Sequence, residues 1–355
     1  MQSSHRFPYR WQLSDLPLPD PEAPRVFGTF LCGGGSTMGY KLAGFRHLGG
    51  VEIDPRIANI YIKNHSPSLM FCEDLRVFNK RSDLPPELHD IDVLDGSPPC
   101  STFSLAGMRE KAWGRKKTFR EGQSRQTLDD LVFVYCDTIA KLRPKVAILE
   151  NVAGLLKGNA RDYCRRIVKR LSDTGYDVQI FLLNAATMGV PQTRQRTFFI
   201  ARRRDLAFAP LAISVNEPPI PFSEVRDSLP SPDTLTLREY ALWKKRRPSD
   251  MGFDDIAKRV LGKGSYFNTR LVHADRVAPT VCAANYNVLY DAPRHMTSTE
   301  LRLVASFPLD YSCGSSKLGF IVGMSVAPVQ MAHIASAIKA QWFTKGGSPC
   351  SQKIL

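Results

Sequence analysis

The sequence predicts an α/β fold: a mostly parallel sheet with helices on both faces, joined to a smaller, irregular lobe. Three observations carry this prediction. From Arg25 to about residue 204, short β-rich runs alternate with helical stretches. A glycine-rich turn, LCGGGSTMG, joins the first strand to the first helix. Between about 205 and 270 the alternation gives way to clustered prolines (Pro218, Pro219, Pro221, Pro230, Pro232) and a basic run, WKKRRP.

The elements follow in order. Residues 1–24 are proline-rich with no apolar period and read as an extended leader. RVFGTFL, GGVEID, IDVLDG, KVAILEN, YDVQIFLLNA and RTFFIARR read as strands; MGYKLAGF, PRIANIYIKNH, LDDLVFVYCDTIAKL and YCRRIVKRL read as helices between them. Residues 25–204 therefore form the main domain and 205–317 the smaller lobe. A final helical segment, PVQMAHIASAIKAQWF, follows the turn at GFIVGMS, so 318–355 is expected to return to the main domain.

Composition bounds the chemistry. The 355 residues are 43% hydrophobic, enough for a sizeable core, and carry a formal net charge of +14. Such an excess of Lys and Arg suits a polyanionic partner, and equally a basic solvated surface. Eight cysteines are scattered without a CxxC pair or a Cys/His cluster, so neither zinc nor a disulfide framework is indicated and a reducing compartment fits. The N-terminus shows no basic-then-apolar signal pattern and no apolar run approaches the ~18 residues of a membrane span, so the protein is expected to be soluble and intracellular.

Gly33 to Gly35 allow backbone amides to approach a ligand and aim a helix N-terminus at its charged end. Glu52 ends the next strand, where an acid can accept both ribose hydroxyls, and Asp74 follows the third, placed to accept from an adenine amino group. Singly, these are equally a structural turn and two solvated acids. At the carboxyl ends of successive strands they favour a nucleotide-like ligand, because open α/β sheets bind ligands there.

GSPPCSTFS directly follows the strand IDVLD, and Pro98 and Pro99 would make Cys100 project from a rigid turn at the same sheet edge. An isolated cysteine is by default a buried structural residue; this setting reverses the default. KVAILENV puts Glu150 and Asn151 at the end of a neighbouring strand, and GVPQTRQR puts Arg194 and Arg196 at alternating positions leading into a strand, so that the two are expected to point the same way. Glu150 can pair structurally with either arginine and still take part in catalysis.

The ordered series LCGGGSTMG, VEID, CEDL, GSPPCSTFS, ENV, GVPQTRQR, APTV with HMTSTELRLVASFP, and GMSVAP resembles the motif set of the cytosine-5 DNA methyltransferases of bacterial or phage type, over residues 25–335 except 205–270. The resemblance implies a Rossmann-like class I methyltransferase sheet with a target-recognition lobe, S-adenosylmethionine as cofactor and S-adenosylhomocysteine as product, and no metal. It also implies double-stranded DNA as partner, a monomer, and a cytoplasmic setting in a bacterial cell or phage-infected host. By position, Cys100 would attack carbon 6 of a flipped-out cytosine, Glu150 would hold the ring by its Watson–Crick edge, and Arg194 and Arg196 would orient the site. Leu31, Cys32, Gly33, Gly35, Glu52, Ile53, Asp74, Leu75, Pro98, Ser325 and Val326 would meet the cofactor, and Ser97, Pro99, Ser104, Asn151, Val152 and Gln192 the substrate.

The chain departs from the family pattern at four positions: Thr29 stands for the usual Asp, Leu31 for Phe, Ser36 for a second adjacent Gly and Met324 for Asn. Between Met108 and Gln126 a basic, glycine-interrupted stretch matches the family's closing loop and would grip phosphates. A tRNA cytosine-5 methyltransferase is an alternative, although the Cys-Phe-Thr element typical of that branch is absent from 205–275. A non-catalytic DNA-binding relative is another, opposed by the joint presence of Cys100, Glu150 and Arg194. An NAD-dependent oxidoreductase would use the glycine turn but gives no reason for PPC and ENV.

Overall fold

A computed structural model describes residues 5–89, 91–99, 130–156, 160–228, 234–283, 286–314 and 316–344. The chain forms two compact units: Pro17–Leu183 with Gln195–Ser214 and Met331–Leu355, and Met1–Leu16 with Asn184–Arg194 and Val215–Gln330.

The first unit is built on strands β1 (Arg25–Thr29), β2 (Arg46–Val51), β3 (Leu69–Phe71), β4 (Val93–Gly96), β5 (Val146–Val152) and β6 (Tyr176–Asn184); after β7 (Gln192–Thr193), which belongs to the second unit, β8 (Gln195–Arg203) completes the sheet. The strand order is β3-β2-β1-β4-β5-β8-β6. Strands β3 to β5 pair in parallel and β8 runs antiparallel to β5. Because β1 leads leftward to β2 and β3 while β4 lies on its other side, the order reverses between β1 and β4. A crevice at the carboxyl ends of such a pair is where open α/β sheets hold ligands.

Helices α1 (Gly35–Leu42), α2 (Pro55–His65), α3 (Leu75–Phe78), α4 (Leu131–Leu142) and α5 (Ala160–Asp173) connect the strands. Their starts are locally encoded. Asp54 caps α2 by accepting from the Arg56 amide, with Pro55 in the first turn, and Asp74 caps α3 by accepting from the Arg76 amide. Phe27, Leu94, Leu149 and Phe199 of the sheet pack with Val132, Tyr135 and Ile139 of α4 and Ile167 and Leu171 of α5, all buried. Each such side chain stabilises the fold by roughly 1.5–3 kcal/mol, which makes this layer the rigid base under the strand ends.

The second unit holds α6 (Leu237–Trp243), α7 (Phe253–Leu261), α8 (Ser298–Val304) and α9 (Leu318–Met324), with the short pairs β7–β10 (Ala278–Pro279) and β9 (Leu271–Val272)–β11 (Val288–Leu289). Leu242, Phe253, Ile256, Leu271 and Val288 form a core of its own. The helix α10 (Pro328–Ile338) begins in this unit and continues into the first.

These units redistribute the expected segments 1–24, 25–204, 205–317 and 318–355. Residues up to Leu16 join the second unit because Trp11 is buried there with its indole N–H on the Ser306 carbonyl at 3.0 Å, and Asp310 accepts from the Leu13 amide at 2.7 Å. Residues 184–194 join it through the β7–β10 pairing of Gln192 with Ala278. Residues 205–214 stay with the sheet: Gln179 of β6 bonds both the amide and the carbonyl of Leu211.

The expectation about membrane spans needs correction. The helical stretch Leu318–Phe343, with a mean hydropathy of 1.5, is long and apolar enough to cross a membrane. Of its most apolar window 89% is buried inside the protein, as a core helix is. Its polar residues Ser325, Gln330 and His333 are buried with it, and they interrupt the apolar run in the sequence without lowering the average enough.

Candidate active site

The turn after β1 is strained. Phe30 (φ 54°), Cys32 (φ 45°) and Gly34 (φ 73°) all take left-handed backbone, two of them without glycine's freedom. Such residues cost on the order of 1–3 kcal/mol each and cluster where a ligand or mechanism needs the geometry. Gly34 is the N-cap of α1 and supplies no capping side chain, so the α1 N-terminus suits a ligand carboxylate. Glycine is required there twice over: a Cβ would lie 2.2 Å from His65 Nε2. Leu31 is buried, its Cδ2 in space that Gly28 and Gly50 leave, since a Cβ on either would come within 2.8 Å of it. Gly33 gives its carbonyl to His65 Nε2 at 3.3 Å, and Gly35 opens α1.

Glu52, just past β2, is buried, and its two carboxylate oxygens accept from the amides of Cys32 and Asp54, each at 3.0 Å. Burial pushes its carboxyl above the usual range while those amides pull it back. Glu52 thus shapes the turn after β1 as well as ending β2; Ile53 beside it is half-buried. Asp74, past β3, caps α3 and pairs with Arg76 at 3.1 Å, and Leu75 is the buried first residue of that helix. A helix N-terminus and two acids therefore stand at the carboxyl ends of β1, β2 and β3. That donor and acceptor set fits an adenosine-bearing amino acid, with an acceptor for hydroxyls, one for an exocyclic amine and a positive helix end for a carboxylate. Among the described residues, no three His, Cys, Asp or Glu side chains gather as a metal ion requires.

Across the reversal point, β4 ends at Gly96 and is followed by Ser97 and Pro99, half-buried, and Pro98, buried. Cys100, Ser104 and the basic loop at 109–126 lie outside the described residues. Asn151 on β5 braces the segment after β4: its amide nitrogen donates to the Pro98 carbonyl at 3.4 Å and its oxygen accepts from the Val152 amide at 2.9 Å. Glu150, 9% exposed, is held by Arg196, whose Nε is 3.0 Å from its Oε1 across the β5–β8 pair.

Arg194 does not share that partner. The strand breaks between β7 and β8 at this residue, which turns its side chain into the second unit. Its guanidinium is buried and donates to the carbonyls of Val281 (3.2 Å), Gly323 (3.1 Å) and Ser325 (2.9 Å). Gln192, also buried, donates to the Val304 carbonyl and accepts from the Val281 amide. Ser325 bonds its hydroxyl back to Ile321 at 2.8 Å, and Val326 is buried beside it. These residues brace the second unit internally.

Two residues at the site escaped sequence reading. His65 supports the glycine turn from the last turn of α2 and is kept neutral by burial, its value lowered to about 3. Asp95, inside the apolar run of β4, is a buried carboxyl at the reversal point. An acid within an otherwise apolar strand was the available signal for the second; nothing marked the first.

The family profile described as C-5 cytosine-specific DNA methylase matches residues 26–340. The type II methyltransferase M.DdeI of Desulfomicrobium norvegicum is 33% identical over 189 residues, 52% of this chain and 41% of that protein. M.FnuDI of Fusobacterium nucleatum is 32% identical over 219 residues, 61% of this chain and 57% of that protein. The chain thus spans about half the length of the curated relatives it matches. Among solved structures, one described as a DNA modification methyltransferase encoded within an E. coli prophage superposes with a TM-score of 0.67 at 18% identity, covering 90% of this chain and 99% of the other. A Spodoptera frugiperda DNMT2 variant gives 0.61 at 14% identity, covering 89% and 99%. At such identities the structures speak for the fold, and it is the class I methyltransferase fold found here. With strained turn, strand-end acids and the Glu150–Arg196 pair falling inside the matched residues, the chain belongs to the C-5 cytosine-specific DNA methylase family.

Proposed function

We propose that this chain methylates carbon 5 of cytosine in double-stranded DNA, with S-adenosylmethionine as donor and Cys100 as nucleophile. The observation that carries the reading is Glu150, buried and clamped by Arg196 on the strand beside the one that leads into Ser97-Pro98-Pro99-Cys100. Cytosine is a weak nucleophile at carbon 5. As thiolate, Cys100 adds to carbon 6, forming a sulfur–carbon bond, and Glu150 moves a proton at ring N3, so that electron density collects at carbon 5. S-adenosylmethionine, when bound, supplies the electrophilic methyl group. Loss of the carbon 5 proton then re-forms the ring double bond, the carbon 6–sulfur bond breaks, and Cys100 leaves as thiolate.

Arg196 keeps the Glu150 carboxyl in place, and Asn151 fixes the turn before the nucleophile. The α1 N-terminus, Glu52 and Asp74 would hold the carboxylate, ribose and adenine ends of the cofactor. The target atom is buried in a stacked duplex, so the base must be flipped out at a cost of a few kcal/mol, offset by contacts in the pocket and along phosphates.

Labelled methyl transfer from S-adenosylmethionine to duplex DNA and to tRNA tests the substrate; incorporation into DNA cytosine is expected. DNA carrying 5-fluorocytosine should trap the protein covalently, because fluorine cannot leave as a proton, and Cys100→Ser should abolish trapping. Label in tRNA alone would refute the substrate, and undiminished trapping by the variant would remove Cys100 from the mechanism.

A further inference from the structure

Asp95 is the third residue of β4 and 5% exposed. Three hydroxyls converge on it. Thr29 Oγ1, at the end of β1, donates to its backbone carbonyl at 3.1 Å; Tyr40 on α1 donates to its carboxylate at 3.2 Å; and the Ser36 hydroxyl, in the first turn of α1, also bonds the carboxylate. The β1–β4 register sets Gly28 opposite Asp95 and Thr29 opposite Gly96. A Cβ on Gly96 would come within 2.6 Å of Thr29 Oγ1 and 2.4 Å of the Tyr135 ring, so the residue after Asp95 leaves room for this packing. Thr29 and Ser36 are two of the positions at which the glycine-rich element departs from the family pattern, and both meet on this one residue of the neighbouring strand.

We propose that Asp95 is a positioning residue that ties the glycine-rich turn and α1 to the strand end carrying Ser97, Pro98, Pro99 and Cys100, so that occupancy of the cofactor turn is felt at the nucleophile. The proposal takes the ligand's identity from the function proposed above. The chain length between the two ends is short: Cys100 follows Asp95 by five residues, two of them proline.

The electrostatics fit a functional rather than an architectural acid. Burial pushes the Asp95 carboxyl up to about 7, with the Ser36 and Tyr40 hydroxyls pulling it down and Glu150 pushing it up. The titratable groups around it are Tyr40 on α1, Tyr61 on α2, Tyr135 on α4 and Glu150 on β5. Because its folded-state value lies above its unfolded one, stability falls as pH rises from about 4 through about 7, and the cost is fully present above that. A neutral asparagine would avoid the cost, so the acid is expected to serve something other than stability.

The test uses the full chain as wild type, Asp95→Asn, and the double variant Ser36→Ala with Tyr40→Phe. Three quantities are read: the melting midpoint at pH 8, the S-adenosylmethionine dissociation constant by calorimetry, and the iodoacetamide alkylation rate of the Cys100 peptide by mass spectrometry, with and without S-adenosylmethionine. In the wild type the cofactor should change the alkylation rate at least fivefold. Asp95→Asn should melt at or above the wild-type temperature, yet bind the cofactor 5- to 20-fold more weakly and bring the alkylation ratio within twofold of one; the double variant should do the same to binding and ratio. A ratio near one in a wild type that binds S-adenosylmethionine, or a ratio preserved in either variant, overturns the proposal. If Asp95→Asn does not fold, the double variant decides. Failure of the wild type to bind S-adenosylmethionine would refute the functional reading instead. The cofactor-free alkylation rate then judges the positioning role, supported by a fivefold change in the variants and overturned by none.

Discussion

Arg196 Nε lies 3.0 Å from Glu150 Oε1, bridging the antiparallel pair β5–β8 two residues before the strand β5 ends. The two side chains are 16% and 11% exposed, so the pair is largely out of water. Removing Arg196 would strand the largely buried Glu150 charge, at a cost of up to about 3–5 kcal/mol, and leave its carboxylate free to rotate.

Arg196→Lys should therefore keep the charge and lose the geometry. A lysine is a point charge without the planar fork that fixes a carboxylate. We expect near-wild-type melting with at least a tenfold drop in methyl transfer at saturating cofactor, whereas Arg196→Gln should also lower the melting midpoint. Full activity in Arg196→Lys would show that Glu150 needs no positioning.

Gly34→Ala probes the turn. The substitution places a Cβ in left-handed backbone, costing roughly 1–2 kcal/mol, and also drives it against His65 at 2.2 Å. Gly175, at φ 95° and with open space out to 4 Å where a Cβ would stand, isolates the first cost from the second. We expect Gly34→Ala to destabilise more than Gly175→Ala and to weaken S-adenosylmethionine binding at least tenfold in calorimetry. Equal effects of the two substitutions would separate the turn from the ligand.

Burial holds His65 at about 3 and His47 well below its ordinary value. Both are neutral in the fold and take up protons in the unfolded chain, so their contribution is complete above about 6.5 and is lost as pH falls. For His65 the loss runs from about 6.5 down to about 3, at about 1.4 kcal/mol per pH unit. The stability of the wild type relative to His65→Gln should fall over that window in denaturant titrations. A difference independent of pH would mean that His65 takes up its proton in the fold as readily as in the unfolded chain.

Much of this site is legible in sequence because its signals are local. Asp54 and Asp74 precede helices as capping residues do, and the glycine-rich turn and Glu52 each end an apolar run. Arg194 and Arg196 were not separable, since spacing by two fixes a common face only in an unbroken strand and this strand breaks between them. The partnership of the N-terminal segment with Ser306 and Asp310 spans nearly 300 positions, |i−j| of 295 for Trp11 and 297 for Leu13, beyond any local pattern. Asp95 was hidden by its neighbours, being one polar residue in a strand otherwise read as core.

The basic run in the second unit separates into two roles. Arg246 is half-buried: its guanidinium stacks 3.4 Å from the Trp243 ring centroid, faces the Tyr290 ring at 5.0 Å and bonds the Tyr290 carbonyl. Lys244, Lys245 and Arg247 are exposed, and Lys244 rests over the Tyr240 ring. A phosphate contact is lost as a counterion-linked term, lowering the log-log salt slope by roughly 0.9 for each. Neutralising Lys244, Lys245 and Arg247 together should therefore flatten the slope by up to about 2.7 on duplex DNA of any sequence, with little change in melting. Arg246→Ala should lower the melting midpoint through lost stacking, and reduce DNA affinity only as far as the unit unfolds. An unchanged salt slope in the triple variant would place these residues on a face that DNA does not touch. A changed methylated sequence would instead show that one of them reads a base edge, since phosphate contacts carry no such information.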